Sequence, residues 1–269
     1  MDVVGPSYRI TSGALDNIPS PAQWTAKLRS RDFLEVAITF ALILLALWTT
    51  RPMQTVVGWL TLLWVVLATL RSCQDTTSLG LGLTGLRSSL WITFAAVASA
   101  AVGIWMASRM HTLQPVLRGT PLELSILAYL LWALLQQFIL QDFFLLRMLR
   151  LLPTRTAAVV VTGMLFAVAH IPNPVLMAAT LAWGITACAL FVRYRNLYSL
   201  GLAHGILGVC LAIAVPSPLH HHMRVGIGYF RWHAQTQPAH RSQSNQMVST
   251  EACVMADATS RCPSLHARP

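Results

Sequence analysis

The 269-residue sequence is poor in charge: 10% of its residues are charged, whereas 55% are hydrophobic. Soluble globular domains carry about a quarter charged residues, so this composition argues against an ordinary soluble fold. It also argues against a disordered chain, because disordered segments are polar and low in apolar residues. The mean hydropathy of +0.58 indicates a membrane protein instead.

Lysine is almost absent, and the formal charge of +10 comes from 18 arginines and a single lysine, Lys27. A nucleic-acid-binding protein is also basic but is not this apolar, so we expect no nucleic-acid partner. In a membrane protein, basic residues outside the apolar segments set topology and contact anionic head groups. The five cysteines form no Cys-x-x-Cys pair, which argues against a disulfide framework and a zinc knuckle.

Long apolar segments recur along the chain, each close to the roughly 20 residues that cross a bilayer as a helix. They are too continuous for the strands of a membrane barrel, which alternate over about ten residues. The sequence therefore predicts an all-α polytopic transmembrane helix bundle in a lipid bilayer, with seven spans or eight. The predicted spans are Phe33–Thr50, Met53–Leu70, Leu90–Ser108, Leu122–Leu146, Ala157–His170, Val175–Tyr194 and Leu197–Val215.

The spans divide the chain into four regions: a polar N-terminal segment (1–31), accessory helices (32–120), core helices (121–216) and a polar, largely disordered tail (217–269). A cytoplasmic N-terminus places 11 of the 19 basic residues on the cytoplasmic side. The positive-inside rule therefore favours that orientation.

The beginning of the tail has two features of its own. Residues 223–232 mix arginine with tyrosine, phenylalanine and tryptophan, which suits the membrane interface. The run His220, His221 and His222 precedes them, and we interpret it as a solvated histidine cluster.

Polar side chains inside membrane helices are costly, and they mark candidate functional sites. The fourth, fifth and seventh predicted spans carry such residues in consecutive order, so these helices are predicted to converge on one site. Gln137 and Gln141 are four residues apart and share a helix face. The polar residues are Gln136, Gln137, Gln141 and Asp142 in the fourth span, His170 four residues after Phe166 in the fifth, and His204 four residues before Gly208 in the seventh.

The order of these residues resembles the motifs of the CAAX protease and bacteriocin-processing family of intramembrane endopeptidases, also called Abi-like. That family has a Glu-Glu-x-x-x-Arg helix, a Phe-x-x-x-His helix and a later His-x-x-x-Asn (or Asp) helix. The resemblance covers residues 121–216. It implies peptide-bond hydrolysis in or near a bacterial-type cell membrane, with a membrane-associated peptide or protein as substrate or partner. The matching positions are Gln136, Gln137 and Gln141, then Phe166 and His170, then His204 and Gly208.

The departures from these motifs concern the chemistry directly. In the family, the glutamate pair activates the attacking water with the help of the two histidines. A glutamine amide has no titratable group in that range and only orients water by hydrogen bonds. The resemblance assigns water binding and proton transfer to His170 and His204, orientation to Gln137 and Gln136, and site lining to Gln141, Phe166 and Gly208.

No other carboxylate replaces the missing pair. Between residues 90 and 216 the acidic residues are Glu123 and Asp142. Glu123 is roughly 21 Å from Gln137 along the helix axis, and Asp142 is turned by roughly 140° from Gln137. We interpret Asp142 as a cavity-edge or interfacial charge.

The resemblance leaves a divalent metal such as zinc as an open alternative, with His170 and His204 as ligands. A catalytic zinc has three protein ligands and a water, and these histidines supply two. Neutral histidine also acts as a general base without metal, so no cofactor is assigned. A purely structural interpretation stays open as well, because glutamine and histidine in membrane helices also serve interhelical hydrogen bonding.

Three functions therefore stay open. The first is an intramembrane endopeptidase with an altered motif. The second is a non-catalytic relative that binds a membrane peptide or protein in the same cavity, which the loss of both glutamates favours. The third is a small transporter. The scarcity of charge within the membrane segments and the lack of an inverted repeat argue against this function.

Overall fold

The computed structural model describes residues 26–72, 79–83, 85–114 and 122–232. These residues form helices and no strand. The elements are α1 (Ala26–Trp48), α2 (Met53–Arg71), α3 (Leu86–Arg109), α4 (Leu122–Phe138), a π-helical segment (Ile139–Leu145), α5 (Leu146–Leu151), α6 (Arg155–Val168), α7 (Pro174–Tyr194), α8 (Leu197–Ala214) and α9 (Ser217–His220).

The described residues contain five helical stretches that are long and apolar enough to cross a membrane. The prediction of an all-helical membrane protein is confirmed, whereas the count of seven or eight spans is not. Helix α1 carries several charged residues in its first third, and α6 has only 14 residues. The five stretches are Met53–Arg71, Leu86–Arg109, Leu124–Leu151, Pro174–Tyr194 and Leu197–Ala214.

Three polar caps define where the core helices begin. The Thr154 hydroxyl accepts a hydrogen bond from a backbone N–H in the first turn of α6. The Asn173 and Asn196 side chains do the same for α7 and α8. Such caps satisfy N–H groups that the helix itself leaves unpaired. Helix α6 ends at Val168 and α7 begins at Pro174, so Pro172 lies in the break between the two helices and Pro174 in the first position of α7.

Helix α8 packs between α3 and α4, and glycines set its distance from α4. Gly201 lies against Leu134, where a Cβ atom would come within 3.2 Å of the Leu134 Cα atom, and Gly205 lies against the end of the Leu130 side chain. Glycines four residues apart let membrane helices approach closely, so backbone and side chains of α4 press directly on α8. This contact fixes the register in which the polar residues of the two helices meet.

The chain that follows α8 folds back over the turn between α6 and α7. The Asn173 Nδ2 group donates to the carbonyls of His220 (2.7 Å) and Arg224 (3.0 Å), and the backbone N–H of Gly226 donates to the Ile171 carbonyl (2.9 Å). Gly226 has a φ of 55°, and a Cβ atom there would overlap the Leu47 carbonyl. We call residues 217–232 the C-terminal cover; the rest of the predicted tail lies outside the described residues.

The interpretation of the histidine run as solvated is wrong for two of its three members. His220 and His221 are buried, and only His222 is exposed. His220 Nε2 donates to the Val215 carbonyl, and its Nδ1 accepts from a backbone N–H. Burial lowers the pKa of His220, because a charged imidazole would lose its hydration there.

Two ion pairs hold α1 against α5. The Arg147 guanidinium, 1% exposed, contacts the Glu35 carboxylate at 2.6 Å and also donates to the backbone carbonyls of Ala68 and Phe143. Arg150 forms a bidentate pair with Asp32, with distances of 2.6 and 2.8 Å. Both ion pairs lie at the end of the bundle where α1 carries its polar residues, and each arginine there has a carboxylate as its partner.

We expect Glu35→Ala to destabilise the protein by about 3–5 kcal/mol, because it leaves Arg147 buried and unpaired. The matched control is Arg31→Ala, which removes the half-exposed partner of the same carboxylate and costs less than about 1 kcal/mol. The measurement is the free energy of unfolding in detergent micelles. Equal losses for the two variants would contradict the assigned role of the buried pair.

Candidate functional site

A cavity of about 960 Å³ lies between α1, α2, α4, α7 and α8 and the α6–α7 turn. Its wall is mostly apolar. Five of the seven candidate residues line it, whereas Gln137 and Gln141 are fully buried beside it. The five are Gln136, Phe166, His170, His204 and Gly208.

A chain of hydrogen bonds connects α4 with α8. Gln141 Nε2 donates to Gln137 Oε1 at 3.0 Å, and Gln137 Nε2 contacts His204 Nδ1 at 3.1 Å. The predicted shared face of Gln137 and Gln141 is confirmed. Gln137 is fully buried in this contact, whereas its chain neighbour Gln136 lines the cavity.

The two histidines contact the same phenyl ring. His170 Nδ1 donates to the Phe166 carbonyl at 2.7 Å, and its ring meets the Phe166 ring at a centroid distance of 4.9 Å. The His204 ring lies 5.8 Å from the same phenyl ring. Phe166 therefore positions both imidazoles at one wall of the cavity. Because Nδ1 of His170 carries the proton, its Nε2 atom keeps a lone pair that can accept a hydrogen bond.

The space beside Gly208 is occupied by the side chain of Tyr129. A Cβ atom built on Gly208 would overlap the Tyr129 hydroxyl, which reaches across from α4. Tyr129 lines the same cavity as His204 and Gln136. A hydroxyl group therefore stands where a side chain at residue 208 would begin.

Asp142 is not the cavity-edge or interfacial charge that we expected. It lies in the π-helical segment, is 1% exposed and does not line the cavity. Within the described part of the chain, neither of its oxygens has a hydrogen-bond partner, although the Arg195 charge acts on it. The carboxylate closest in sequence to the glutamines is thus withdrawn from the site.

The donor set does not fit a catalytic zinc ion. Among the residues that the structure describes, no three His, Cys, Asp or Glu side chains come together as ligands. His170 and His204 provide two nitrogens at most, and the Nδ1 atom of His204 is engaged by Gln137. We derive no metal-dependent step for this site.

Sequence reasoning did not single out three polar or aromatic residues of the cavity that bear on its chemistry, Tyr129, Trp183 and Arg51. Tyr129 lies seven residues before Gln136, a spacing that puts both on one helix face and would have revealed it. Trp183 lies 6.1 Å from the His204 ring, and Arg51 stands at the cavity edge after α1. Nothing in the local sequence distinguishes Trp183 or Arg51 from the other tryptophans and arginines.

Residues 118–210 match the family model described as Type II CAAX prenyl endopeptidase Rce1-like. The match covers about a third of the chain and contains all seven candidate residues. No curated protein and no solved structure matches the chain. The resemblance to CAAX-type endopeptidases is confirmed for this part of the chain, and the long apolar helices indicate an integral membrane protein.

We expect Gln137→Leu to lower the free energy of unfolding by about 1–3 kcal/mol, because it leaves the His204 and Gln141 side chains without their shared partner. Gln136→Leu is the matched control, since Gln136 makes no side-chain hydrogen bond within the described ranges. Its cost should stay below about 1 kcal/mol. Denaturant titration in micelles measures both, and an equal or larger loss for Gln136→Leu would refute the assignment.

Proposed function

We propose that the chain binds a membrane-associated peptide or protein segment in its cavity without hydrolysing it. The observation that carries this proposal is that the described residues lining the cavity include no aspartate or glutamate. A water in this cavity therefore has no carboxylate to accept its proton. We also propose that the protein lies in a bacterial-type cell membrane with its N-terminus on the cytoplasmic side.

The cavity suits a peptide because a few polar groups stand in an apolar wall, as ligand sites commonly have them. Gln136 and Tyr129 come from α4, His170 from the α6–α7 turn and His204 from α8. Amide, hydroxyl and imidazole groups both donate and accept hydrogen bonds, which matches the N–H and C=O groups of a peptide backbone. The apolar remainder of the wall accommodates apolar side chains.

Hydrolysis is the second candidate, and one contact favours it. Because His170 Nδ1 donates to the Phe166 carbonyl, Nε2 is the nitrogen that accepts a proton. A neutral imidazole held in one tautomer acts as a general base. In that case Gln136 and Tyr129 orient the water or the substrate carbonyl.

The test exposes purified protein in nanodiscs to a mixed library of membrane peptides and analyses captured and released peptides by mass spectrometry. We expect intact peptides to be captured, with affinity lowered about fivefold by His170→Ala through the loss of one hydrogen bond. His111→Ala is the matched control, because His111 is exposed at the end of α3, away from the cavity.

Each outcome decides between the candidates. Cleavage by the unaltered protein that His170→Ala abolishes and His111→Ala retains would replace binding by hydrolysis. Capture that is equal for both variants would contradict a peptide site at His170. If the protein only binds, the double variant Gln136→Glu with Gln137→Glu supplies the missing carboxylates, and any hydrolysis it gains should disappear when His170→Ala is added.

A further inference from the structure

One side of the cavity is left open by the residues that the structure describes. Helix α2 packs along α1 and touches the π-helical segment, whereas its contacts with α4 and α8 are at most isolated. Trp59 of α2 and Trp132 of α4 both line the cavity and are both exposed on the helix surface. In a membrane protein, this gap between α2 and α4 opens towards the lipid chains.

The cavity also has a charged end. Arg51 is the one charged side chain among the described lining residues, and it is exposed and forms no ion pair within them. Gln54 and Thr55, in the first turn of α2 directly after Arg51, also line the cavity. The first turn of α2 contains no acidic residue, and its positive dipole end adds to the attraction for an anion.

The apolar part extends from this charged end into the bundle. Between Gln54 and Leu62 the lining residues of α2 cover roughly 12 Å along the helix. Phe40 and Phe144 lie at the inner part of the wall, where they meet edge to face at 6.3 Å. A cation at one end and an apolar channel behind it match an amphiphile with an anionic head and one alkyl chain.

We propose that the cavity binds a long-chain fatty acid, which enters sideways from the bilayer between α2 and α4. Its carboxylate pairs with Arg51 and accepts hydrogen bonds from Gln54 and Thr55, and its chain follows α2 towards Phe40. This ligand is distinct from the peptide of the proposed function. Since both use one cavity, the fatty acid competes with the peptide and regulates access to the histidines.

Two variants test the head-group site and the alkyl-chain channel separately. Arg51→Gln removes the charge and is matched by Arg87→Gln, which removes an exposed arginine at the start of α3, outside the cavity. Gly58→Leu fills the channel, because a Cβ atom at Gly58 meets nothing within 4 Å. Gly58→Ala is its matched control, since a methyl group leaves most of the channel open.

The experiment uses the full chain in nanodiscs of zwitterionic lipid and a fatty acid with a diazirine in mid-chain. After irradiation, mass spectrometry maps the labelled residues. We expect labelling of cavity residues on α2 and α4, weakened roughly tenfold by Arg51→Gln through the loss of a charge-assisted hydrogen bond. Gly58→Leu should abolish it, whereas Arg87→Gln and Gly58→Ala should keep it. The fatty alcohol of equal length should compete roughly tenfold less well than the acid.

Equal labelling in Arg51→Gln and Arg87→Gln, or equal competition by acid and alcohol, would overturn the proposed head-group site. Cavity labelling that persists in Gly58→Leu would overturn the proposed alkyl-chain channel along α2. Background labelling of lipid-facing residues is insensitive to all four variants and serves as the internal reference. Fatty acid binding without peptide capture refutes only the peptide proposal, and peptide capture without cavity labelling refutes only this one.

Discussion

The close approach of α8 to α4 is the constraint on which the site depends. Gly201 and Gly205 let the two helices touch, and only at that distance does Gln137 reach the His204 imidazole. The contact is a packing interaction, since lipid-exposed helices gain little from hydrophobic burial against each other. A bulkier residue at Gly201, where the Leu134 backbone is close, would push the helices apart and strain the hydrogen-bond chain without altering any polar side chain.

Much of the architecture was accessible from residue patterns. Apolar run length predicts the membrane helices, and the four-residue spacing predicts that Gln137 and Gln141 share one helix face. Asp142 was misplaced because a π-helical segment changes the angular position of residues, which a regular 3.6-residue period does not represent. The burial of His220 depends on Asn173, a partner 47 residues away, and no local pattern reports such a contact.

The polar groups of the cavity wall are better suited to hydrogen bonding than to proton transfer. Phe166 brings the two histidines to one wall, and Tyr129 fills the space beside Gly208. Gln136 lines the cavity, whereas the Asp142 carboxylate does not. An amide donates and accepts hydrogen bonds but takes up no proton near neutral pH, so the described part of the wall offers a general base only through its imidazoles.

Asn173 joins two parts of the molecule that are far apart in the chain. Its Oδ1 atom caps α7, and its Nδ2 group holds the C-terminal cover, from which Met223 and Val225 reach the cavity wall. The Asn173 amide and the hydrogen bond from Gly226 to Ile171 therefore tie the C-terminal cover to the turn that carries His170. A displacement of the cover would change the cavity wall and the position of this turn together, so the two behave as one mechanical unit.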